Sequence, residues 1–129
     1  VVMAVGSTVL LARWLNLSEL LQRSMAMRSI TTPFAVEATR SVGGNADLTA
    51  LFVVLTGVIG MAVGESVLTV LAIRSRLGKG AGFGASAHGA GTARAYQMGN
   101  EEGVVSSMVM MIAGMATVLL APLLGRLFW

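Results

Sequence analysis

Two short polar segments in this otherwise apolar chain carry side chains suited to binding a small anion. The first reads Arg28-Ser29-Ile30-Thr31-Thr32 and precedes Pro33; the second runs from His88 to Arg94. Guanidinium, imidazole and hydroxyl groups donate hydrogen bonds, and a guanidinium can hold a carboxylate through two parallel bonds. The segments therefore predict a set of residues that bind a small anionic substrate: Arg28, Ser29, Thr31, Thr32, His88, Gly91, Thr92 and Arg94.

Each of these side chains also has a structural interpretation, which the sequence leaves open. Arg28 and Arg94 either contact the anion or pair with acidic groups on neighbouring helices. His88 either takes part in binding or proton transfer, or bonds to a carbonyl group in a glycine-rich loop. The threonine hydroxyls are expected to cap helices whatever else they do. Glu37 is a candidate proton-coupling carboxylate, and equally a partner for Arg40 three residues later.

Several other chemistries are excluded by residue type. The chain has no cysteine and one histidine, so thiolate and imidazole metal sites are not expected, and no metal or cofactor is predicted beyond a coupling ion, H⁺ or Na⁺. No nucleophile stands beside a base and an orienting acid, so we predict no catalytic residues and no enzyme. The basic residues are scattered and few aromatic residues accompany them, which argues against nucleic-acid binding.

The overall composition points to a membrane protein. Hydrophobic residues make up 55% of the 129 residues and charged residues 12%, whereas soluble domains carry about 25% charged residues. A spanning helix takes about 20 residues, so the chain has room for at most about six crossings. The opening apolar run has no charged region before it and predicts no signal peptide; we interpret the chain as a fragment that begins within a spanning helix.

The first half of the chain is expected to contain a helix, a broken helix and a second full helix. Residues 1–16 end a spanning helix at an interfacial Arg-Trp pair, and residues 17–27 begin the broken one, with Ser18 as its cap. Thr32 is expected to cap the second part of that helix, with Pro33 as its first residue. Gly43-Gly44 ends it, and Asn45 or Asp47 caps an apolar run that ends at Gly64.

The second half is expected to repeat this order. A short apolar piece at 66–74 leads into a glycine-rich segment, in which we expect a second broken helix, unwound near Ala87 to Gly91; a last spanning helix ends near Trp129. At an offset of 60, Thr32 matches Thr92, and at 57, Thr49 matches Ser106. The fold class predicted is all-α, with six transmembrane segments in two inverted three-helix repeats, about 1–64 and 65–129, within one transmembrane domain.

The charges predict an orientation on this six-crossing scheme. Arg40, Arg74, Arg76, Lys79 and Arg126 fall on one side, and Glu65, Glu101 and Glu102 fall on the other with Arg13 and, less clearly, Arg23. The positive-inside rule places the first side, with the C-terminus, in the cytoplasm of a cell carrying this multi-pass protein in its inner membrane. Breaks at corresponding places in two repeats predict a substrate site near the midplane, with helix N-termini that favour an anion.

The motifs around the two polar segments resemble the LrgB/CidB family of bacterial membrane proteins, which includes the membrane part of the plastid glycolate/glycerate translocator. The similarity lies in RSITTPFAVEATRSVGG and GFGASAHGAGTARAYQMGNEEG, each followed by an apolar run, and corresponds to the C-terminal part of family members. The family pattern has lysine where this chain has Arg28, an aliphatic residue at Phe34 and a larger aliphatic residue at Ala90.

The resemblance implies two functions. One is transport of small monocarboxylates such as pyruvate or glycolate, which the predicted anion site favours; the alternative is a holin-like or antiholin-like modulator of murein hydrolase activity and autolysis. It also implies a small LrgA/CidA-type membrane partner. A homo-oligomer is compatible with either function.

Overall fold

The computed structural model describes residues 1–129 and is entirely helical in its regular structure. By backbone contacts the chain forms two compact units: unit 1 comprises residues 1–54 and 114–129, and unit 2 comprises residues 55–113. The seven helices are α1 (Val2–Trp14), α2 (Glu19–Ala26), α3 (Thr32–Ser41), α4 (Ala46–Val70), α5 (Arg76–Ser86), α6 (His88–Met98) and α7 (Asn100–Phe128).

Two helices are long and apolar enough to cross a membrane, α4 with 25 residues and α7 with 29. Only 17% and 22% of their apolar cores are buried inside the protein, which distinguishes them from the core helices of a soluble protein. The side chains that they leave exposed are large and aliphatic and suit contact with lipid. They include Leu51, Val54, Val58 and Ile59 on α4, and Leu119, Leu123 and Leu127 on α7.

The remaining helices are shorter than a crossing requires. The apolar α1 has 13 residues, and α2, α3, α5 and α6 have 8 to 11 residues each. At 1.5 Å per residue, helices α2, α3, α5 and α6 are about 12–17 Å long, well short of the roughly 30 Å hydrocarbon layer. Helix α4 continues past the predicted end at Gly64 to Val70 and takes in most of the short apolar piece, because a glycine is tolerated within a helix of membrane proteins.

The predicted interruptions of the chain are confirmed, but each interrupted pair of helices forms a hairpin. In the first hairpin, α2–α3, Arg23 Nη1 donates to the carbonyl of Val42 at 2.6 Å, although α3 separates the two residues. Thr49 Oγ1 lies 3.0 Å from the Ser24 carbonyl and 2.9 Å from Thr39 Oγ1, so α2 and the end of α3 lie side by side.

The second hairpin, α5–α6, is folded back in the same way. Arg76 at the start of α5 lies 3.3 Å from Glu101, which follows α6. Ser106 of α7 is contacted from both helices, by the backbone at Gly84 and by the hydroxyl of Thr92. Two collinear helix halves would be too far apart for these contacts. The six-crossing scheme with two broken helices is therefore replaced by spanning helices with two short hairpins between them.

The predicted separation of charges between two membrane sides is wrong for the same reason. Arg13 and Arg126 were expected on opposite sides, yet Arg13 donates to the carbonyl of Phe128, two residues from Arg126. Arg76 and Glu101 were also expected on opposite sides and form an ion pair. A hairpin returns the chain to the end from which it came, so counting its helices as crossings assigns the following charges to the wrong side.

The two units use the same connection ahead of their hairpins. Asn16 after α1 and Ala72 after α4 both adopt the left-handed conformation, with φ of 52° and 56°. Each helix end is closed by two backbone bonds that satisfy carbonyls of its last turn, and a serine two or three residues later caps the next helix. The bonds are Leu17 N to Ala12 O and Asn16 N to Arg13 O after α1, and Ile73 N to Leu68 O and Ala72 N to Thr69 O after α4.

We expect the substitution Ala72→Gly to stabilise the protein. An L residue in the left-handed region costs about 1–2 kcal/mol, and glycine avoids most of this cost while losing more chain entropy on folding. The net gain in the free energy of unfolding should be about 0.5 kcal/mol, measured as a higher unfolding temperature in detergent. Asn16→Gly is the control and should gain less, because asparagine tolerates this conformation. An unchanged or lower unfolding temperature for Ala72→Gly would contradict the prediction.

Candidate functional site

The connection of the first hairpin holds three of the four site residues predicted in that half of the chain, and the fourth, Thr32, is the first residue of α3. Helix α2 ends at Ala26 and α3 begins at Thr32, so Arg28, Ser29 and Thr31 lie in non-helical backbone. Arg28 is half-buried, and its Nη2 donates to Thr8 Oγ1 of α1 at 3.3 Å. These residues therefore place donor groups at one turn, and their binding of an anion stays a prediction.

The cap of α3 differs by one residue from the prediction. Thr31 occupies the N-cap position, Thr32 is the first helical residue and Pro33 the second. The Thr31 side chain makes no capping hydrogen bond, so the prediction that this hydroxyl caps the helix is wrong. Proline supplies the favourable backbone angle at the start of the helix without a hydroxyl cap.

The connection of the second hairpin is shorter than the predicted unwound stretch near Ala87 to Gly91, and it is closely packed. Only Ala87 separates α5 from α6, and His88 starts α6 with a φ of 43°, a conformation that is uncommon for a residue with a Cβ. His88 is 2% exposed. One glycine of α4 makes room for this turn: a Cβ at Gly60 would lie 2.6 Å from that of Ala87, whereas one at Gly57 would lie at an ordinary contact distance, 3.8 Å, from His88 Nδ1.

The two glycines that follow His88 in α6 differ in the space around them. A Cβ at Gly89 would meet no atom within 4 Å, whereas one at Gly91 would lie 2.7 Å from the carbonyl oxygen of Phe83. Gly89 is exposed and lies in the first turn of α6, and the first N–H groups of a helix have no partners within that helix. Gly91, by contrast, lies within the hairpin and lets its two helices approach.

Thr92 has a structural contact that the sequence did not reveal. It lies in the second turn of α6, 9% exposed, with its Oγ1 2.8 Å from Ser106 Oγ of α7. The prediction that the Thr92 hydroxyl caps a helix is therefore wrong. Thr49 and Ser106, which match at an offset of 57, make the same kind of contact. Ser106 joins α7 to the second hairpin, and Thr49 joins α4 to the first hairpin.

Arg94 also lies in the second turn of α6. Its guanidinium forms an ion pair with Glu65 of α4, and its Nη1 donates to Gln97 Oε1 at 3.0 Å. These three residues line a cavity of about 370 Å³ in unit 2. Glu65 is a candidate functional residue that the sequence analysis does not identify, because the predicted helix ends at Gly64 and Glu65 enters only the count of charges on one membrane side. In the structure α4 continues to Val70 and includes Glu65.

Glu37 lies on the exposed side of α3. Its carboxylate is 3.8 Å from Arg40 Nη1, and both side chains are about two-thirds exposed. This is the i,i+3 arrangement that was one of the two interpretations of Glu37.

Comparison with known proteins identifies the family. Residues 1–127 match the model of the LrgB-like family. The chain belongs to the LrgB-like family. The resemblance in the motifs around Arg28 and His88 is thereby confirmed.

Curated LrgB-like relatives include proteins with functional names. The chain is 39% identical over 121 residues to the uncharacterized protein YwbG of Bacillus subtilis, covering 94% of this chain and 54% of the relative. It is 32% identical to the antiholin-like protein LrgB of B. subtilis, over 92% of this chain and 51% of the relative. It is 35% identical to the holin-like protein CidB of Staphylococcus aureus, over 79% of this chain and 44% of the relative. The chain thus spans about half the length of these relatives. No solved structure matches it.

Proposed function

We propose that this LrgB-like chain carries the substrate-binding segments of a membrane carrier for small monocarboxylates such as pyruvate or glycolate. The observation that supports this proposal most strongly is the first hairpin, where Arg28, Ser29, Thr31 and Thr32 come together at a turn between two short helices. A half-buried arginine held by a threonine of the neighbouring α1 is a costly feature in a membrane protein, and such residues commonly mark substrate pathways.

The second hairpin supports the same chemistry in unit 2. Helix α6 begins at His88 beside the open space at Gly89, and the positive end of a helix favours a carboxylate. Farther along α6, Arg94 is already bound by a carboxylate, that of Glu65. A substrate carboxylate is the chemical equivalent of the Glu65 side chain, so we propose that it competes with Glu65 for the Arg94 guanidinium. The coupling ion, H⁺ or Na⁺, and Glu37 as a coupling group remain part of the proposal.

We also propose that the two halves are inverted repeats in the inner membrane. The matching connections after α1 and α4 support a repeat. One spanning helix, α4, separates the two hairpins, so the second repeat would run in the opposite direction to the first. Four arginines gather towards one end of unit 1, at the ends of α1, α3 and α7 and along α2: Arg13, Arg23, Arg40 and Arg126. We infer from these arginines and the positive-inside rule that this end, with the C-terminus, lies in the cytoplasm.

The names of the relatives favour a second function. The B. subtilis relative is named antiholin-like and the S. aureus relative holin-like, and these names point more directly to control of murein hydrolase activity and autolysis than to a carrier. On this alternative, the protein acts with a small LrgA/CidA-type membrane partner and forms or regulates a lesion. Short hairpins with donor groups at their turns are not needed for such a lesion.

Transport measurements separate the two functions. The full-length protein, with and without its small partner, is placed in liposomes, and uptake of labelled pyruvate and glycolate is measured beside the release of a large trapped dye. A carrier gives uptake that saturates with carboxylate concentration and no dye release. Dye release without saturable uptake supports the holin-like function and contradicts the carrier. Neither activity would contradict both.

A further inference from the structure

A basic cavity in unit 1 is separate from the residues assigned to substrate binding. It has a volume of about 720 Å³ and lies where the end of α3 meets α2 and the C-terminal end of α7. Three arginines line it and no acidic side chain does. The charged lining consists of Arg23, Arg40 and Arg126.

The three guanidinium groups differ in how far their donors are already used. Arg23 donates to the Val42 carbonyl at 2.6 Å and to Glu19 Oε1, from Nε, at 3.1 Å, so it is fixed in place. Arg40 lies 3.8 Å from Glu37, beyond hydrogen-bond distance. Arg126 is exposed and makes no hydrogen bond or ion pair. Two arginines thus have donors available for an anion, and a third holds the wall of the cavity.

A tryptophan in the same lining adds a second, independent sign of an unfilled polar role. The indole Nε1 of Trp129 is buried and has no hydrogen-bond partner. Its ring lies beneath the Arg23 guanidinium, 5.5 Å from the Arg23 Cζ atom, which orients the indole at the cavity wall. A buried N–H group without a partner costs free energy, and tryptophans in membrane proteins concentrate at the level of the lipid headgroups.

We propose that this cavity binds a phosphate group, supplied by an anionic phospholipid headgroup or by a soluble phosphate compound. Several guanidinium groups around one cavity suit an anion with several oxygens, and arginine pairs with phosphate through two parallel bonds. Basic pockets between helices at the cytoplasmic level of membrane proteins are a recognised form of headgroup site. The proposal stands apart from the carrier function, because none of its residues belongs to the predicted substrate set.

Binding measurements on the full-length protein in a neutral detergent test the proposal. The probes are cardiolipin, phosphatidylglycerol, phosphatidylcholine, inorganic phosphate and glycerol phosphate, and the readouts are the dissociation constant and the rise in unfolding temperature. The test variant is the double substitution Arg40→Gln/Arg126→Gln. Arg74→Gln with Lys79→Gln is the matched control, since it removes the same charge from residues outside the cavity. Arg126→Lys keeps the charge and loses the paired bonds.

The expected result is that the test variant weakens binding of the anionic probe by about tenfold or more, whereas the control changes it little. If cardiolipin or phosphatidylglycerol binds and the soluble phosphates do not, the source is lipid; the reverse identifies a soluble phosphate compound. Binding by no phosphate probe, or equal losses in test and control variants, would overturn the proposal. Should the double variant fail to fold, Arg126→Lys decides: it must weaken binding while the unfolding temperature without ligand stays unchanged, and unweakened binding would overturn the proposal.

Discussion

Replacing Gly84 by alanine is expected to displace the second hairpin from α7 and to destabilise the protein by about 3 kcal/mol. A Cβ at this position would lie 2.9 Å from Ser106 Cα and closer still to the Ser106 carbonyl oxygen. These are backbone atoms, which cannot rotate away as a side chain could. The hairpin would have to shift, and the bond between Thr92 and Ser106 would be strained or lost. The measurement is the unfolding temperature and the yield of monodisperse protein in detergent.

Gly89→Ala is the matched control for this substitution. It makes the same chemical change five residues later, where a Cβ would meet no atom within 4 Å. Alanine should leave stability unchanged there or raise it slightly through its greater helix propensity. If Gly84→Ala proved as stable as Gly89→Ala, the close approach of α5 to α7 would be contradicted.

The largest expected effect on activity is that of Arg28→Gln. If the carrier function holds, removal of the guanidinium should lower saturable carboxylate uptake by about 100-fold, because a charged hydrogen bond to a carboxylate contributes roughly 2–3 kcal/mol. Arg28→Lys should retain much of the uptake, since it keeps the charge and restores the residue found in the family pattern. Uptake by full-length protein in liposomes is measured at equal amounts of inserted protein.

Arg74→Gln controls for the loss of one positive charge. Arg74 is exposed in the connection between α4 and α5, and its replacement should leave uptake near the wild-type rate. The role assigned to Arg28 fails if Arg28→Gln transports normally, or if Arg74→Gln loses as much uptake. A loss of uptake accompanied by dye release would point instead to a damaged protein or to the holin-like function.

Features that depend on neighbouring residues could be predicted from the sequence. Helix α1 ends at Trp14, Ser18 caps α2, Gly43 takes a positive φ after α3, and Asn45 Oδ1 caps α4 by accepting from Leu48 N. Caps and left-handed turns are set by a few adjacent residues, so their signals survive in any fold. The apolar runs likewise predicted the two helices that can span a membrane.

Features that depend on distant contacts could not be predicted in the same way. The local sequence near Thr31 or Ala87 predicts an interruption of the helix. It does not distinguish a following helix that continues in the same direction from one that folds back. The choice is made by packing, such as that of the Gly84 backbone on Ser106, which no local pattern encodes. The partner of Arg94 was missed for the same reason, because Glu65 is 29 residues away and was assigned to the end of a helix that in fact continues.

The candidate site was accordingly predicted unevenly. The residues from Arg28 to Thr32 lie together because they are adjacent in the chain, with Arg28 to Thr31 in the connection and Thr32 at the start of α3. Those from His88 to Arg94 were expected around an unwound segment, but the helix resumes after one residue and distributes them along α6. Arg94 therefore comes to lie with Glu65, and Thr92 with Ser106, rather than both lying at the turn.

The shortness of the hairpin helices has a consequence for the way in which the chain enters the membrane. Helices of 8 to 11 residues are too short to be recognised and released into lipid as spanning segments during synthesis. Their turns also carry polar groups and non-helical backbone, which hydrocarbon tolerates only when protein covers them. The second hairpin packs on α7, which follows it in the chain. We therefore expect it to take up its final position only after α7 has been synthesised.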